Sequence, residues 1–125
     1  MISLFSKREK KSIEWHSLTE VSSLDEIDEI SQERPVLIFK HSTRCAISSM
    51  VLNKLENSFE DETNFERYFL DLITYRTISD EVAARYGVIH ESPQAILISK
   101  GKSVYEASHS GIVYGDITRK ADEIQ

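Results

Sequence analysis

The sequence predicts an α/β fold, a central mixed β-sheet with helices on both faces. Three observations carry this. Val36-Leu37-Ile38-Phe39 is an unbroken, β-branched-rich apolar run, the pattern of a strand buried on both sides, and a helical pattern follows it at once. Strand and helix signals alternate from the start of the chain to Gly87, as parallel crossover units require. Beyond Gly87 the rhythm changes to two strands separated by a two-residue hairpin signal, Gly101-Lys102, which adds an antiparallel part.

Taken in order, Glu14–Leu18 is a short, mixed first strand. Ser23-Leu24-Asp25-Glu26 matches a capping box, with serine as the cap and glutamate three residues later. The helix it opens turns Leu24, Ile27 and Ile30 inward and an acidic face outward; Pro35 marks its boundary, because the residue before a proline avoids helix. After the Val36–Phe39 strand comes a helix beginning at Cys45, with Ile47, Met50, Val51, Leu55 and Phe59 on one face. A polar stretch, Glu60–Asn64, leads to a second buried strand at Tyr68–Ile73. Thr77-Ile78-Ser79-Asp80 starts another helix, with Ile78, Val82 and Tyr86 inward and Gly87 as its C-terminal cap. Gln94–Lys100 and Ser103–Ser108 are the hairpin strands. A last helix, Asp116–Ile124, is capped by Asp116 and turns Ile117, Ala121 and Ile124 inward.

The 125 residues fit one domain over 13–125, preceded by a flexible segment over 1–12. Apolar residues at 40% and charged residues at 29% describe a soluble globular protein. A net charge of −6 argues against nucleic-acid binding, which depends on neutralising phosphates. The apolar stretch of MISLFSKREKK is too short for a signal peptide, and nothing approaches the roughly 20 apolar residues of a membrane span. One cysteine excludes an internal disulfide framework and suits a reducing, cytoplasmic setting. The four histidines, His16, His41, His90 and His109, lack ligand spacing, so no metal is expected.

Chemistry converges on Cys45. A lone cysteine is more often a small core residue than a nucleophile, but this one stands where a buried strand ends and a helix begins. Unpaired backbone N–H groups and the positive end of the helix dipole favour a thiolate there. Ser48, three residues on, lies on the same side of the first turn, where its hydroxyl can donate to the sulfur. Arg44 and Lys40 bring positive charge. Cys45-Ala46-Ile47-Ser48 thus reads as C-x-x-S, a C-x-x-C with its second thiol replaced by a hydroxyl.

KHSTRCAIS (Lys40–Ser48), YGVIHESPQAILISKGK (Tyr86–Lys102) and EASHSGI (Glu106–Ile112) resemble the thioredoxin-like superfamily, and more closely the monothiol bacilliredoxins of the YtxJ type. The likeness runs from about Trp15 onward. It implies a thioredoxin-like fold in which Pro93, directly before a strand, is cis and beside the cysteine, leaving the Ser92 backbone free to pair with an extended substrate. It implies a thiol–disulfide oxidoreductase that removes bacillithiol from client proteins, with Cys45 attacking and the low-molecular-weight thiol as co-substrate rather than bound cofactor. Arg44, and with it Lys40, would hold the malyl carboxylates. The expected partners are bacillithiolated proteins and the small thiol, with no nucleic acid or membrane, and a monomeric chain. One departure is visible: Ala46 stands where the family commonly has proline. Two other readings remain at this level. One is a binding module that traps clients as mixed disulfides without turnover; the other is a dimer carrying an iron–sulfur cluster, which the missing glycine-bearing loop disfavours.

Overall fold

The computed structural model describes residues 14–59 and 63–125; the expected flexible segment over 1–12 lies outside them. Five strands form one sheet in the order β1-β3-β2-β4-β5: β1 His16–Ser17, β2 Val36–His41, β3 Glu66–Asp71, β4 Gln94–Ser99 and β5 Lys102–Ser108. β1 and β2 run parallel to β3, whereas β4 runs antiparallel to both β2 and β5. Four helices connect them: α1 Ser23–Ile30, α2 Ala46–Ser58, α3 Arg76–Tyr86 and α4 Tyr114–Glu123. The mixed sheet is therefore as the sequence predicts.

Period-two alternation explains why the central strand reads as continuously apolar. Val36 and Ile38 enter one core, with Leu24 and Ile27 of α1 and Ile78 and Val82 of α3. Leu37 and Phe39 enter the other, with Val51 and Leu55 of α2 and Ile117 and Ala121 of α4. All four β2 residues are fully enclosed. Each such side chain contributes about 1.5–3 kcal/mol of burial free energy, so this strand is the spine of both layers.

Several expected boundaries shift, each for a local reason. The capping box does not form: α1 begins at Ser23 itself, and the Ser22 hydroxyl bonds to Glu20 rather than to the helix end. The first-turn acids Asp25 and Glu26 still complement the helix dipole. The second buried strand starts two residues early, at Glu66, and ends before Ile73. The hairpin turns at Lys100-Gly101 instead of Gly101-Lys102. Ser99 pairs with Lys102, and both turn residues have positive φ (52° and 74°), the signature of a two-residue type I′ connection. Helix α4 begins at Tyr114 with Val113 at its cap, so Asp116 sits inside the first turn. Gly87 caps α3 in the left-handed region, as expected.

No helix among the described residues is long and apolar enough to cross a membrane.

Candidate active site

The strand directions gather one set of loops at one end of the sheet. The C-terminal ends of β1, β2, β3 and β5 and the start of β4 all lie there. Cys45 follows β2 at this end, and Pro93 directly precedes β4, whose Gln94 pairs with Lys40. The Ser92–Pro93 bond is cis. Pro93 accepts the His109 N–H at 3.0 Å, and Ser92 makes no backbone hydrogen bond with a described residue.

Cys45 is the N-cap residue of α2, in extended conformation and partly exposed. Its carbonyl accepts the N–H groups of Ser48 (3.1 Å) and Ser49 (3.3 Å), and its own N–H donates to the Ser42 carbonyl at 3.2 Å. The N–H groups of Ala46 and Ile47 have no intrahelical acceptor, which leaves donors facing the thiol's side of the turn. That is a nucleophile's setting, built from backbone.

Ser48 is placed differently from the sequence expectation. It is fully buried, accepting the Ser42 N–H at 3.1 Å and lying 2.7 Å from His41 Nδ1. Its bonds run inward to β2, not out to the sulfur. The His41 ring lies close to those of Phe39 and Phe69, and burial lowers its proton affinity while Asp71 and Glu56 oppose the effect.

Lys40 corrects the expectation of a substrate contact. It is fully enclosed on the opposite face of β2, and its Nζ donates to His90 Nδ1 at 2.8 Å. Burial, reinforced by Arg76, brings its pKa down to about 8. His90 is likewise lowered, by burial and then by Lys40 itself; the Ser79 hydroxyl stands 3.4 Å away. Gln94, facing Lys40 in register, donates to the Ile89 carbonyl and to Glu106. Lys40 therefore fastens the 88–93 loop from beneath. Arg44 is exposed and makes no ion pair with a described residue. The structure thus brings Cys45, Arg44, Ser92 and Pro93 to one end, and sends Lys40 and Ser48 inward.

His41 and His90 are the residues that sequence reading missed as parts of this site. The signal was available: β2 continues past Phe39, so period two sends Lys40 and His41 to opposite faces. Ile47 and Met50, expected inside, are 50% and 66% exposed. Among the described residues, the other large exposed apolar side chains are Val21, Ile73, Ile89 and Val113. Between α2 and the 110–115 segment runs a groove of about 470 Å³ lined by Ile47, Met50 and Val113. Ile47, Met50 and Val113 give the start of α2 an apolar rim suited to protein surfaces. No group of three or more His, Cys, Asp or Glu converges among the described residues.

A family model for the monothiol bacilliredoxin BrxC matches residues 16–117. The chain belongs to the monothiol bacilliredoxin family. Among solved structures, this bacilliredoxin is similar to a chain described as an oxidoreductase with a thioredoxin fold. Identity is 25%, the TM-score 0.73, and coverage 84% of this chain and 91% of that one. It is similar in fold to reduced thioredoxin pre-protein from Schistosoma mansoni (16% identity, TM-score 0.66, 90% and 100% coverage). Thioredoxin f from spinach chloroplast is a further fold match (14%, 0.67, 88% and 85%). The fold is thioredoxin-like, and the bacilliredoxin is a thiol oxidoreductase.

Proposed function

We propose that the chain removes bacillithiol from mixed disulfides on client proteins by a monothiol mechanism. The observation that carries this is Cys45 at the exposed start of α2, sharing its end of the sheet with cis-Pro93 and having no second thiol anywhere in the chain. The Cys45 thiolate attacks the bacillithiol sulfur of the mixed disulfide. The old S–S bond breaks, the client leaves as thiolate and takes up a proton, and a new disulfide joins Cys45 to bacillithiol. A second low-molecular-weight thiol, or a reductase, attacks that disulfide and regenerates Cys45. No net oxidation occurs in the first step.

Backbone groups serve the substrate in this reading. The unengaged Ser92 N–H and C=O pair with an extended stretch beside the client's disulfide. Arg44 takes the malyl carboxylates, which its fork matches bidentately. The apolar rim covers the client's flanking surface. The partners are then bacillithiolated proteins and the free thiol, in a reducing cytoplasm.

Intact mass spectrometry after exposure to bacillithiolated, glutathionylated and coenzyme A-linked forms of one client tests this. The expected result is a single bacillithiol adduct on Cys45 with stoichiometric release of client. Equal transfer from all three, or none, would overturn the substrate assignment.

A further inference from the structure

The His41–Ser48 contact connects the base on β2 to the turn that holds the thiol. Ser48 Oγ has one proton and two lone pairs. The Ser42 N–H occupies one lone pair at 3.1 Å. The His41 Nδ1 contact at 2.7 Å takes either the proton or the other lone pair, according to the state of the ring. We propose that His41 is a positioning residue for the attacking thiol, setting the direction of the Ser48 hydroxyl. The neutral ring in this proposal carries its proton on Nε2, so that Nδ1 is bare and holds the Ser48 proton inward. With Nδ1 protonated, it donates to Ser48 Oγ, both lone pairs are filled, and the Ser48 proton turns toward the thiol side of the first turn. This rests on reading Cys45 as the attacking group.

The geometry permits that reversal without rearrangement. Ser48 accepts Ser42 in both states, so the turn stays tied to β2. The imidazole is clamped by Phe39 and Phe69 and is almost fully enclosed. Cys45 and Ser48 are three apart on one helical turn, joined by the Ser48 N–H to Cys45 carbonyl bond of 3.1 Å. The charged groups that act on the ring are Asp71, its register partner on β3, and Glu56 on α2, which also accepts the Trp15 indole N–H at 2.7 Å. Lys40 points away, into the opposite layer. Burial disfavours the imidazolium more than both carboxylates favour it, so the switch falls on the acid side of neutrality. By linkage, a thiolate that accepts from Ser48 also favours the imidazolium.

Alkylation of Cys45 by iodoacetamide, followed across roughly pH 5–9, tests this in the wild type, His41→Phe and Ser48→Ala. On the acid side of the His41 titration the wild type should react roughly fivefold faster than a lone-thiol curve predicts, the weight of one hydrogen bond. Both variants should follow the lone-thiol curve. The His41 ring titration, read by NMR in wild type, should move down after Cys45 is alkylated. This second measurement needs no substitution that risks the core. Superimposable profiles, or a His41 titration indifferent to alkylation, would overturn the inference. A wild type that exchanges bacillithiol but shows neither effect leaves the proposed function standing and removes only His41. A wild type that shows both effects but transfers no bacillithiol does the reverse.

Discussion

Lys40 and His41 are neighbours on one strand, yet they serve opposite layers and different halves of the site. Lys40 points into the α1/α3 layer and secures, through His90, the loop that presents Pro93. His41 points into the α2/α4 layer and secures, through Ser48, the turn that presents Cys45. Both are basic groups whose protonated forms burial disfavours. They differ in their counter-charges. His41 is opposed only by carboxylates, whereas Lys40 also meets the Arg76 cation. The contrast teaches that two adjacent residues of one strand can place buried bases in separate layers, each holding one half of the site.

The largest expected effect lies on the Lys40 side. Its folded pKa of about 8 stands below the ordinary 10.5, so between these values the unfolded chain binds more protons. Stability therefore rises with pH from 8 toward 10.5, by about 3 kcal/mol at roughly 1.4 kcal/mol per pH unit. Tyr86, pushed up by burial and by its bond to Asp28, works the other way above its normal range, so the clean window is pH 8 to about 10. Lys40→Met should flatten that rise, as read by urea denaturation with Trp15 fluorescence. An unchanged slope would mean that Lys40 is not the buried cation.

On the other side, Ser48→Ala strips a partner from the Ser42 N–H and from His41 Nδ1 together, and should cost about 2 kcal/mol at neutral pH. A loss under ~0.5 kcal/mol would show that the turn holds without it.

Next comes Gly87, which opens the Lys40-anchored loop at φ 65° with nothing crowding a Cβ. Gly87→Ala should cost about 1 kcal/mol from backbone strain alone, leaving the Cys45 alkylation rate untouched. A changed rate would join the two halves of the site.

The smallest effect is the most discriminating. Lys40→Met and Ser48→Ala share no partner and act in separate layers, so their combined change in stability should equal the sum within about 0.5 kcal/mol. A larger coupling, measured by a double-mutant cycle, would break the separation of the two arms.

Much of this was legible in the sequence because it follows from period and punctuation. Val36–Phe39 announced the doubly buried strand and Gly87 the end of α3, whereas the cis bond at Pro93 came from the resemblance to thioredoxin-like chains. Cys45 was found because the strand-to-helix junction is a local pattern. What escaped depends on contacts between elements. The enclosure of Lys40 involves His90, 50 residues away; the inward course of Ser48 involves His41, only seven residues back but across a strand-to-helix turn whose path no period encodes. Ile47 and Met50 kept helical spacing, yet they face the open groove beside the 110–115 segment, a neighbour no period encodes. The hairpin slipped by one residue because both Lys100-Gly101 and Gly101-Lys102 contain the glycine that such a turn wants; positive φ at Lys100 decides it.

The strand order has a consequence for synthesis. β2 lies between β3 and β4, but β4 is made last among these three. Until Gln94–Ser99 emerges, the β4-facing edge of Val36–Phe39 carries unpaired N–H and C=O groups along the most apolar segment of the chain. At about 5–20 residues per second, the intervening residues 42–93 take some seconds to translate. For that interval the nascent chain presents an open, sticky edge that any other extended segment can join. The spine of the finished molecule is therefore the stretch where ribosome-bound chains most need shielding, and slower decoding of the β4 codons would lengthen the exposure.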